Sequence, residues 1–510
     1  MNLLTRFLPK TDFSSYDEFY RECKIRVPET FNFAYDVVDV FAKEATEQKA
    51  LVWCNDDGES KEFNFKQLSE QSIIAANFLQ EQGIEKGDIV MLCLHRRYEY
   101  WIFLLALHRL GAVAFPVSSQ LTKKDIEYRL AACMVRLIIT PEFLKEEWEP
   151  YAAKPNLQIQ ETERPELSVN DPMLLYYTSG TLGEPKPVMH NWLYPLAHII
   201  TAKYWQKNFD GGLHYSMAET GWAKSSWGKI YGQWICGSAV FVYDRKKFNP
   251  QTVLQKISEY KVNTFCAPPV FYRYLMELDF LKYDLSSLKH CCSAGESLNP
   301  KIAELFYKST GLQIHEGYGQ TETALICANW DFPDCPLVSG SLGKSSPLYK
   351  IFMDQSGELV IDLSDNLPLG LLVNYPKQTA KEGFYRTGDL VRKNQDDFYF
   401  FISRKDNIIK SAGFRISPFE VEEIINEHQA VAESYVYGQE DSKRGQLVTA
   451  KVVLKAGYEA DKNMERNIMG FLREKAALYK LPRKIEFVKE LPKTYNGKIK
   501  RNGGKEKNEE

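Results

Sequence analysis

Asp88-Ile-Val-Met-Leu-Cys-Leu94 is an almost unbroken apolar run, flanked by Gly87 and by the basic pair Arg96-Arg97. Its length and composition predict a strand buried on both faces, as in a parallel sheet sandwiched between helices. Upstream, Gln67 to Gln82 carries helical periodicity and stops at Gly83. Downstream, Trp101 to Leu110 predicts a helix ended by Gly111, followed by strands at Ala112–Val117 and Val135–Thr140. Alternation at this spacing argues for helix-covered parallel strands.

The alternation resumes later: strand Thr264–Ala267, helix Val270–Leu278, strand Leu288–Ser293, helix Pro300–Ser309 and strand Leu312–Glu316. In such sheets ligands bind beyond the carboxyl ends of strands, so motifs placed there carry extra weight. From Gly340 to Asp389 helical periodicity gives way to short strands and turns, such as Gln355-Ser-Gly-Glu358, which predicts a small β subdomain. After Arg404 come helix Phe419–His428, strands Ala432–Tyr437 and Leu447–Leu454, a helix near Asn467–Tyr479 and strand Lys484–Val488, a compact α+β unit. Residues 502–510 contain no apolar residue and are expected to be disordered. No internal repeat is evident.

Bulk properties narrow the function. The 510 residues suit three or four packing units of ~150 residues each, and 44% hydrophobic with 26% charged residues fits a folded globular chain. A net charge of -3 disfavours nucleic acid and anionic membrane surfaces as partners. Ten scattered cysteines without a CxxC pair suggest neither a zinc module nor a disulfide framework, and fit a reducing, cytoplasmic setting. Met1–Phe13 lacks the features of a secretory signal, and Trp101–Val117, interrupted by His108 and Arg109, is too short to span a bilayer.

The chemistry starts at Leu174-Leu-Tyr-Tyr-Thr-Ser-Gly-Thr-Leu-Gly-Glu-Pro-Lys186, a strand running into a hydroxyl- and glycine-rich loop. Gly180 and Gly183 let backbone amides approach an anion, Thr178, Ser179 and Thr181 add hydroxyl donors, and Lys186 adds a point charge. The spacing is not that of a Walker A loop. Further segments follow in order: Ser293-Ala-Gly-Glu-Ser297, Glu316-Gly-Tyr-Gly-Gln-Thr-Glu322, Tyr385-Arg-Thr-Gly-Asp389, Arg404-Lys-Asp-Asn-Ile-Ile-Lys-Ser-Ala-Gly-Phe-Arg415 and Pro492-Lys-Thr-Tyr-Asn-Gly-Lys498.

This ordered set resembles the adenylate-forming superfamily of acyl-CoA synthetases, luciferases and peptide-synthetase adenylation domains, over roughly residues 30 to 501. The resemblance implies an α/β N-terminal domain (1–403) of two helix-covered sheets with a β subdomain near 340–403, then a mobile α+β C-terminal domain (404–501). It implies that Thr178 to Lys186 hold ATP phosphates and that Gly295, Glu296 and Ser297 line the adenine. Glu316, Gly317, Tyr318, Gly319 and Gln320 would continue that site, with Tyr318 stacking on the base. Thr321 would meet the α-phosphate and substrate carboxylate, and Glu322 would hold Mg²⁺, a hard cation suited to carboxylate oxygen. Asp389 and Arg404 would contact the ribose, Lys498 would neutralise charge developing at the α-phosphate, and Asp406 would be the hinge.

For coenzyme A the resemblance points to a tunnel past Ser411, Ala412 and Gly413, with Arg415, Arg444, Lys480 and Arg483 as candidates for its phosphates. Ten Lys or Arg against three Glu between Arg473 and Arg501 suit an anionic ligand. Ala218-Glu-Thr-Gly-Trp222, Ala267-Pro-Pro-Val-Phe271 and Glu316-Gly-Tyr-Gly-Gln320 are most similar to the medium-chain acyl-CoA synthetases. Acetate-specific relatives carry a Trp where this chain has Gly319, so an acyl pocket lined by Trp222, Gly319 and Thr321 is expected to run deeper and favour a medium-chain, branched or aromatic acid. Two alternatives share the first step, namely loading of a carrier protein and an acetate or propionate ligase; a third is nucleotide binding without catalysis. Two departures stand out: Leu367–Pro376 is short for the family, and the chain ends soon after Arg501.

Overall fold

The computed structural model describes residues 3–118, 121–154, 157, 160–178, 185–364, 368–372, 383–441, 444–493, 499 and 501. The predicted strands and helices appear where the alternation placed them, with shifted ends. Strands β1 (Lys49–Asn55) and β2 (Ser60–Asn64) lead into helix α1 (Phe65–Glu81), and β3 (Ile89–Leu92) into helix α2 (Glu99–Leu110). Helix α1 starts two residues before the periodicity suggested because Asn64 caps it: its side chain accepts from the Gln67 amide at 2.8 Å while Gln67 Oε1 accepts from the Asn64 amide at 3.0 Å. Helix α2 ends at Gly111 in the left-handed conformation, φ 70°.

Strands β4 (Val113–Pro116), β5 (Val135–Ile139), β6 (Pro172–Thr178) and β7 (Lys186–Asn191) join β3 in a five-stranded sheet of order β5-β3-β4-β6-β7, parallel except for the β6–β7 hairpin. A nine-stranded sheet combines β1 and β2 with β8 (Leu213–Ser216), β9 (Ala239–Asp244), β10 (Thr264–Cys266), β11 (His290–Ala294), β12 (Ile314–Gly319), β13 (Leu325–Ala328) and β14 (Lys344–Ser345), in the order β14-β13-β12-β11-β10-β8-β9-β1-β2. Its central strands, from β12 to β1, run parallel.

Every residue of helix α2 is buried, including His108 and Arg109, which had marked the tract as non-membranous. Arg109 is tolerated there because Asp39 accepts two of its N–H bonds, at 2.9 and 2.5 Å, and Ser72 a third at 2.8 Å. Among the described residues no helix is long and apolar enough to cross a membrane, and the ten cysteines are all unpaired.

Helix α3 (Ala223–Gly228) packs against β8, and helices α4 (Pro269–Leu275) and α5 (Pro300–Thr310) put Tyr272, Leu275 and Phe306 into one core with Phe265, Cys291 and Ile314 of the large sheet. The β subdomain is the antiparallel sheet β15 (Ile351–Met353), β16 (Glu358–Asp362), β17 (Phe384–Lys393) and β18 (Tyr399–Arg404). It starts later than the change in periodicity at Gly340, because β14 pairs with β13 in the large sheet.

The C-terminal unit has a five-stranded sheet of β19 (Ile409–Ser411), β20 (Phe414–Ile416), β21 (Val431–Asp441), β22 (Gly445–Leu454) and β23 (Lys484–Phe487), with helices α6 (Pro418–Asn426) and α7 (Lys462–Lys475). Helix α7 begins five residues earlier than Asn467 because Asp461 caps it, accepting from the Met464 amide at 2.7 Å. The predicted tail at 502–510 lies outside the described residues.

Candidate active site

Strand β12 is the partition of the site. Successive side chains alternate between its faces, and here the two faces have different tasks. Gly317 and Gly319 face one way, where each is covered by an indole: a Cβ on Gly317 would lie 2.6 Å from the Trp205 ring, and one on Gly319 would lie 2.4 Å from Trp227 and 2.3 Å from the Ala324 carbonyl oxygen. Neither position admits a side chain. Tyr318 faces the other way, and its hydroxyl donates to Asp389 Oδ2.

On the Tyr318 face the polar groups bond largely to one another, with Arg404 Nε buried and unpartnered. Gln320 Nε2 donates to Asp389 Oδ2 at 2.7 Å and to the Thr387 carbonyl at 2.8 Å, and Tyr385 Oη donates to Gln320 Oε1 at 2.7 Å. Arg404 Nη1 donates to Asp389 Oδ1 at 2.9 Å and to the Thr387 carbonyl at 3.0 Å. Asp389 is 3% exposed. Burial lowers the readiness of Arg404 to stay charged, but Asp389 beside it more than offsets this and holds its pKa above the usual range. The Tyr318 hydroxyl is pushed well up, first by burial and then by the Asp389 carboxylate.

Thr321 and Glu322 sit at the tip of the β12–β13 hairpin. Thr323 braces the tip: its Oγ1 accepts from the Gln320 amide at 3.0 Å and donates to the Ala324 carbonyl at 2.8 Å, while Tyr349 Oη accepts from the Ala324 amide at 2.8 Å. His190 on β7 holds Thr321 from below, Nε2 donating to its carbonyl at 2.8 Å. That bond requires the Nε2–H tautomer, and burial lowers the His190 pKa to about 4, so the ring stays neutral. The Glu322 carboxyl is raised by burial, while Arg404 and Lys186 pull it down and Asp389 pushes it up.

Thr178 and Lys186 face each other across the β6–β7 hairpin as a register pair. The predicted Ser179, Gly180, Thr181 and Gly183, between Thr178 and Lys186 in sequence, and Lys498 are outside the described residues. Glu316, expected near the adenine, is buried instead beneath the Leu298 amide, which donates to its Oε1 at 2.9 Å. Burial raises its pKa to about 7, assisted by the Glu423 carboxylate on α6. It therefore braces the segment after Ser297. At Gly295 a Cβ would lie 1.6 Å from the movable end of Lys224, whose Nζ donates to the Ala294 carbonyl at 2.9 Å. Glu296 is exposed and Ser297 partly so.

The depth expected in front of Gly319 is taken by Trp227 in this structure. Trp222 opens α3 with its Nε1 buried and unpartnered. The loop before it is pinned from behind, where Arg96 and Arg245 both pair with Glu219.

Asp406 lies in the short turn Lys405–Asn407, immediately after β18 and Arg404. Ser411, Ala412, Gly413 and Arg415 form the β19–β20 hairpin. Ala412 and Gly413 both have positive φ, 49° and 86°, as a two-residue turn of this hand requires, and the turn geometry by itself accounts for the glycine, since nothing lies within 4 Å of a Cβ there. The Arg444 carbonyl accepts from the Ala412 amide at 2.8 Å. Arg444 and Arg483 are exposed. Lys480 is instead paired with Glu420 on α6, which leaves it engaged within the protein.

Among the described residues no group of three or more His, Cys, Asp or Glu is arranged to hold a metal ion. A Mg²⁺ that arrives with nucleotide phosphates needs fewer protein ligands, one or two carboxylates as a rule, and Glu322 fits that need.

Residues 38–362 match the AMP-binding enzyme family model and residues 420–498 the AMP-binding enzyme C-terminal domain model. Human acyl-coenzyme A synthetase ACSM3, mitochondrial, is 36% identical, covering 96% of this chain and 92% of the relative. Acyl-coenzyme A synthetase ACSM5, mitochondrial, of Rattus norvegicus is also 36% identical, over 93% and 90%. Among solved structures, the anthranilate CoA ligase AuaEII in complex with anthranoyl-AMP superposes with TM-score 0.78 at 28% identity, covering 93% of this chain and 96% of that one. The fold and site thus define a carboxylate-activating, nucleotide-dependent enzyme. The chain belongs to the AMP-binding enzyme family, among its acyl-CoA synthetases.

Proposed function

We infer that this chain joins a carboxylic acid to coenzyme A in two steps. The acid's carboxylate oxygen attacks the α-phosphorus of ATP, and the bond to pyrophosphate breaks. The thiolate of coenzyme A then attacks the acyl carbonyl carbon, and AMP leaves with the electron pair of the broken C–O bond. The observation that carries this reading is the convergence on Asp389, where Tyr318, Gln320 and Arg404 all donate to one carboxylate beside the Thr321–Glu322 tip, with the charges of Lys186, Asp389 and Arg404 reaching the Glu322 carboxyl.

In this reading Thr178 and Lys186 flank the segment that holds the phosphates, to which Ser179, Gly180, Thr181 and Gly183 would contribute. Thr321 donates toward the carboxylate and α-phosphate, its backbone fixed by His190. Glu322 would hold Mg²⁺, which when bound neutralises phosphate charge. Asp389 and Arg404 take the ribose hydroxyls, which would replace the Tyr318 hydroxyl as hydrogen-bond partner of Asp389. Lys498 serves the first half-reaction, and rotation about Asp406 brings the Ser411–Gly413 turn to the site for the second, with Arg415, Arg444 and Arg483 facing the phosphates of coenzyme A. Trp222 and Trp227 wall the acyl pocket, and the preferred acid is medium-chain, branched or aromatic. The anthranoyl-AMP held by the similarly folded ligase supports a site that accepts an aromatic acid.

The test is an assay of pyrophosphate and CoA-ester formation with C2 to C12 acids and benzoate. A maximum at acetate would contradict the assigned acid class. Lys498→Ala should abolish pyrophosphate release while a preformed acyl-adenylate still reacts with coenzyme A; equal loss of both half-reactions would remove Lys498 from its assigned role.

A further inference from the structure

Behind β12, on the glycine face, a narrow pocket lies between Trp227, Lys224, Ala267, Ala294, Ser216 and Gln206. Trp227 forms its boundary with Gly319, one residue before Gln320 and two before Thr321, so the pocket lies directly behind the segment that would receive the acid's carboxylate. In this state it has room for the centre of about one water molecule, ≈ 20 Å³. Its inner end is polar.

The orientation of Gln206 follows from a chain of amides. Gln233 Oε1 accepts from the Ile230 amide at 3.2 Å, so its Nε2 must be the atom that donates to the Trp227 carbonyl at 2.8 Å and to Gln206 Oε1 at 2.6 Å. Asn208 Nδ2 donates to the same Gln206 oxygen at 3.3 Å. A flipped Gln206 would set donor against donor, so its Nε2 is the end left facing the pocket. Gln206 is 1% exposed, and that Nε2 has no oxygen or nitrogen partner among the described residues. The nearest acceptor is the Cys266 sulfur, and the amide lowers that thiol's pKa against the effect of burial; a thiol sulfur is a weak acceptor, too poor to replace an oxygen. Buried amide donors are nearly always satisfied by protein, water or ligand, and a water that fills this role is displaced without loss only by a group that repeats its bond.

We propose that the acid activated here carries a second oxygen, a hydrogen-bond acceptor on its carbon skeleton away from the reacting carboxylate, and that Gln206 Nε2 donates to it with the Lys224 ammonium alongside. The inference rests on the acyl-CoA synthetase reading and names the substrate class for the same site. It also accounts for an otherwise apolar pocket ending on an amide and an ammonium.

The experiment compares kcat/KM of the full chain, with ATP, Mg²⁺ and coenzyme A, for matched acids: hexanoate against 5-oxohexanoate, hexanoate against adipate, and benzoate against 3-hydroxybenzoate. The oxygenated acid is expected to win in at least one pair by roughly three- to tenfold, the worth of one net hydrogen bond. Preference for the oxo acid identifies a neutral acceptor on Gln206, and preference for adipate identifies a carboxylate that also engages Lys224; either supports the proposal. In Gln206→Met the preference should collapse toward a ratio of one. The ratio is read within one preparation, so partial unfolding of the variant does not obscure it, and thermal unfolding is followed in parallel. Should Gln206→Met fail to fold, the wild-type pairs still decide. Parent acids equal to or better than their oxygenated partners in every pair overturn this inference alone, whereas absence of pyrophosphate release with any acid overturns the parent reading as well.

Discussion

The two faces of β12 are built to opposite rules. On the Tyr318 face, Tyr318, Gln320, Tyr385, Asp389 and Arg404 bond to one another and to the Thr387 carbonyl. On the glycine face, packing is as tight, yet polar atoms of His190, His198, Tyr194, Trp227 and Gln206 are buried without partners. The first set leaves only Arg404 Nε unpartnered, so it is largely pre-organised and a ribose need displace only the Tyr318 hydroxyl; a wall with several unspent donors and acceptors is complete only with water or substrate. The difference suits a site in which the nucleotide is always the same and the acid is what must be selected.

Breaking the closed face should cost most. Asp389→Ala strands the Tyr318 hydroxyl, the Gln320 amide and the Arg404 guanidinium, and a loss of about 4 kcal/mol in stability is expected. The KM for ATP should rise by roughly a hundredfold or more. Chemical denaturation and ATP titration of initial rates measure the two.

On the opposite face, Gly319→Ala forces a methyl against Trp227 and the Ala324 carbonyl, an overpacking that costs about 2–3 kcal/mol. Differential scanning calorimetry would register it, and an unchanged melting temperature would mean that β12 and α3 are not in the described contact.

Acid should sharpen the contrast. His108 and His198 have pKa values lowered to about 3, and His190 to about 4, all by burial. Unfolded histidines titrate near 6.5, so between that value and the folded pKa the unfolded chain binds more protons. Their stability contribution is fully present above about pH 6.5 and is lost as pH falls toward 3 to 4, by about 2 kcal/mol per histidine at pH 5. Urea unfolding at pH 7.5 and 5 tests this, and His198→Phe should flatten the dependence.

The smallest effect is expected from Tyr385→Phe, which removes the hydroxyl that fixes the Gln320 amide. About 1 kcal/mol is at stake, read as a severalfold higher KM for ATP with kcat less affected. A merely structural role would lower the melting temperature and leave KM in place.

Much of the architecture was legible because it is local. The run at 88–94 became β3, the glycines at 83 and 111 follow the ends of α1 and α2, and six motifs in order marked the family. The contacts that tune the site were not. His190 reaches Thr321 across 131 positions and Tyr385 reaches Gln320 across 65, and no periodicity encodes such a meeting. Gly319 was read correctly as a residue without a side chain, but the neighbour that occupies the freed space, Trp227, lies on a different element. A faint signal did exist, since Gly317 and Gly319 are two apart on one strand and so share a face that something bulky must cover. The resemblance pointed to ligand passage at Ser411, Ala412 and Gly413, and a two-residue turn with paired positive φ by itself accounts for the glycine.

The packing of Gly319 also restricts which mutational routes are open to this enzyme. Because the Ala324 carbonyl as well as Trp227 closes the space, no single substitution at 319 can be tried without moving the hairpin that carries Thr321 and Glu322. A lineage, or an engineer, seeking a new acid must begin at position 227, since position 319 stays closed by the Ala324 carbonyl even after Trp227 is reduced. A Gly319→Trp exchange would test the hairpin rather than the pocket. The position of a change, more than its identity, then decides whether selectivity drifts or activity is lost.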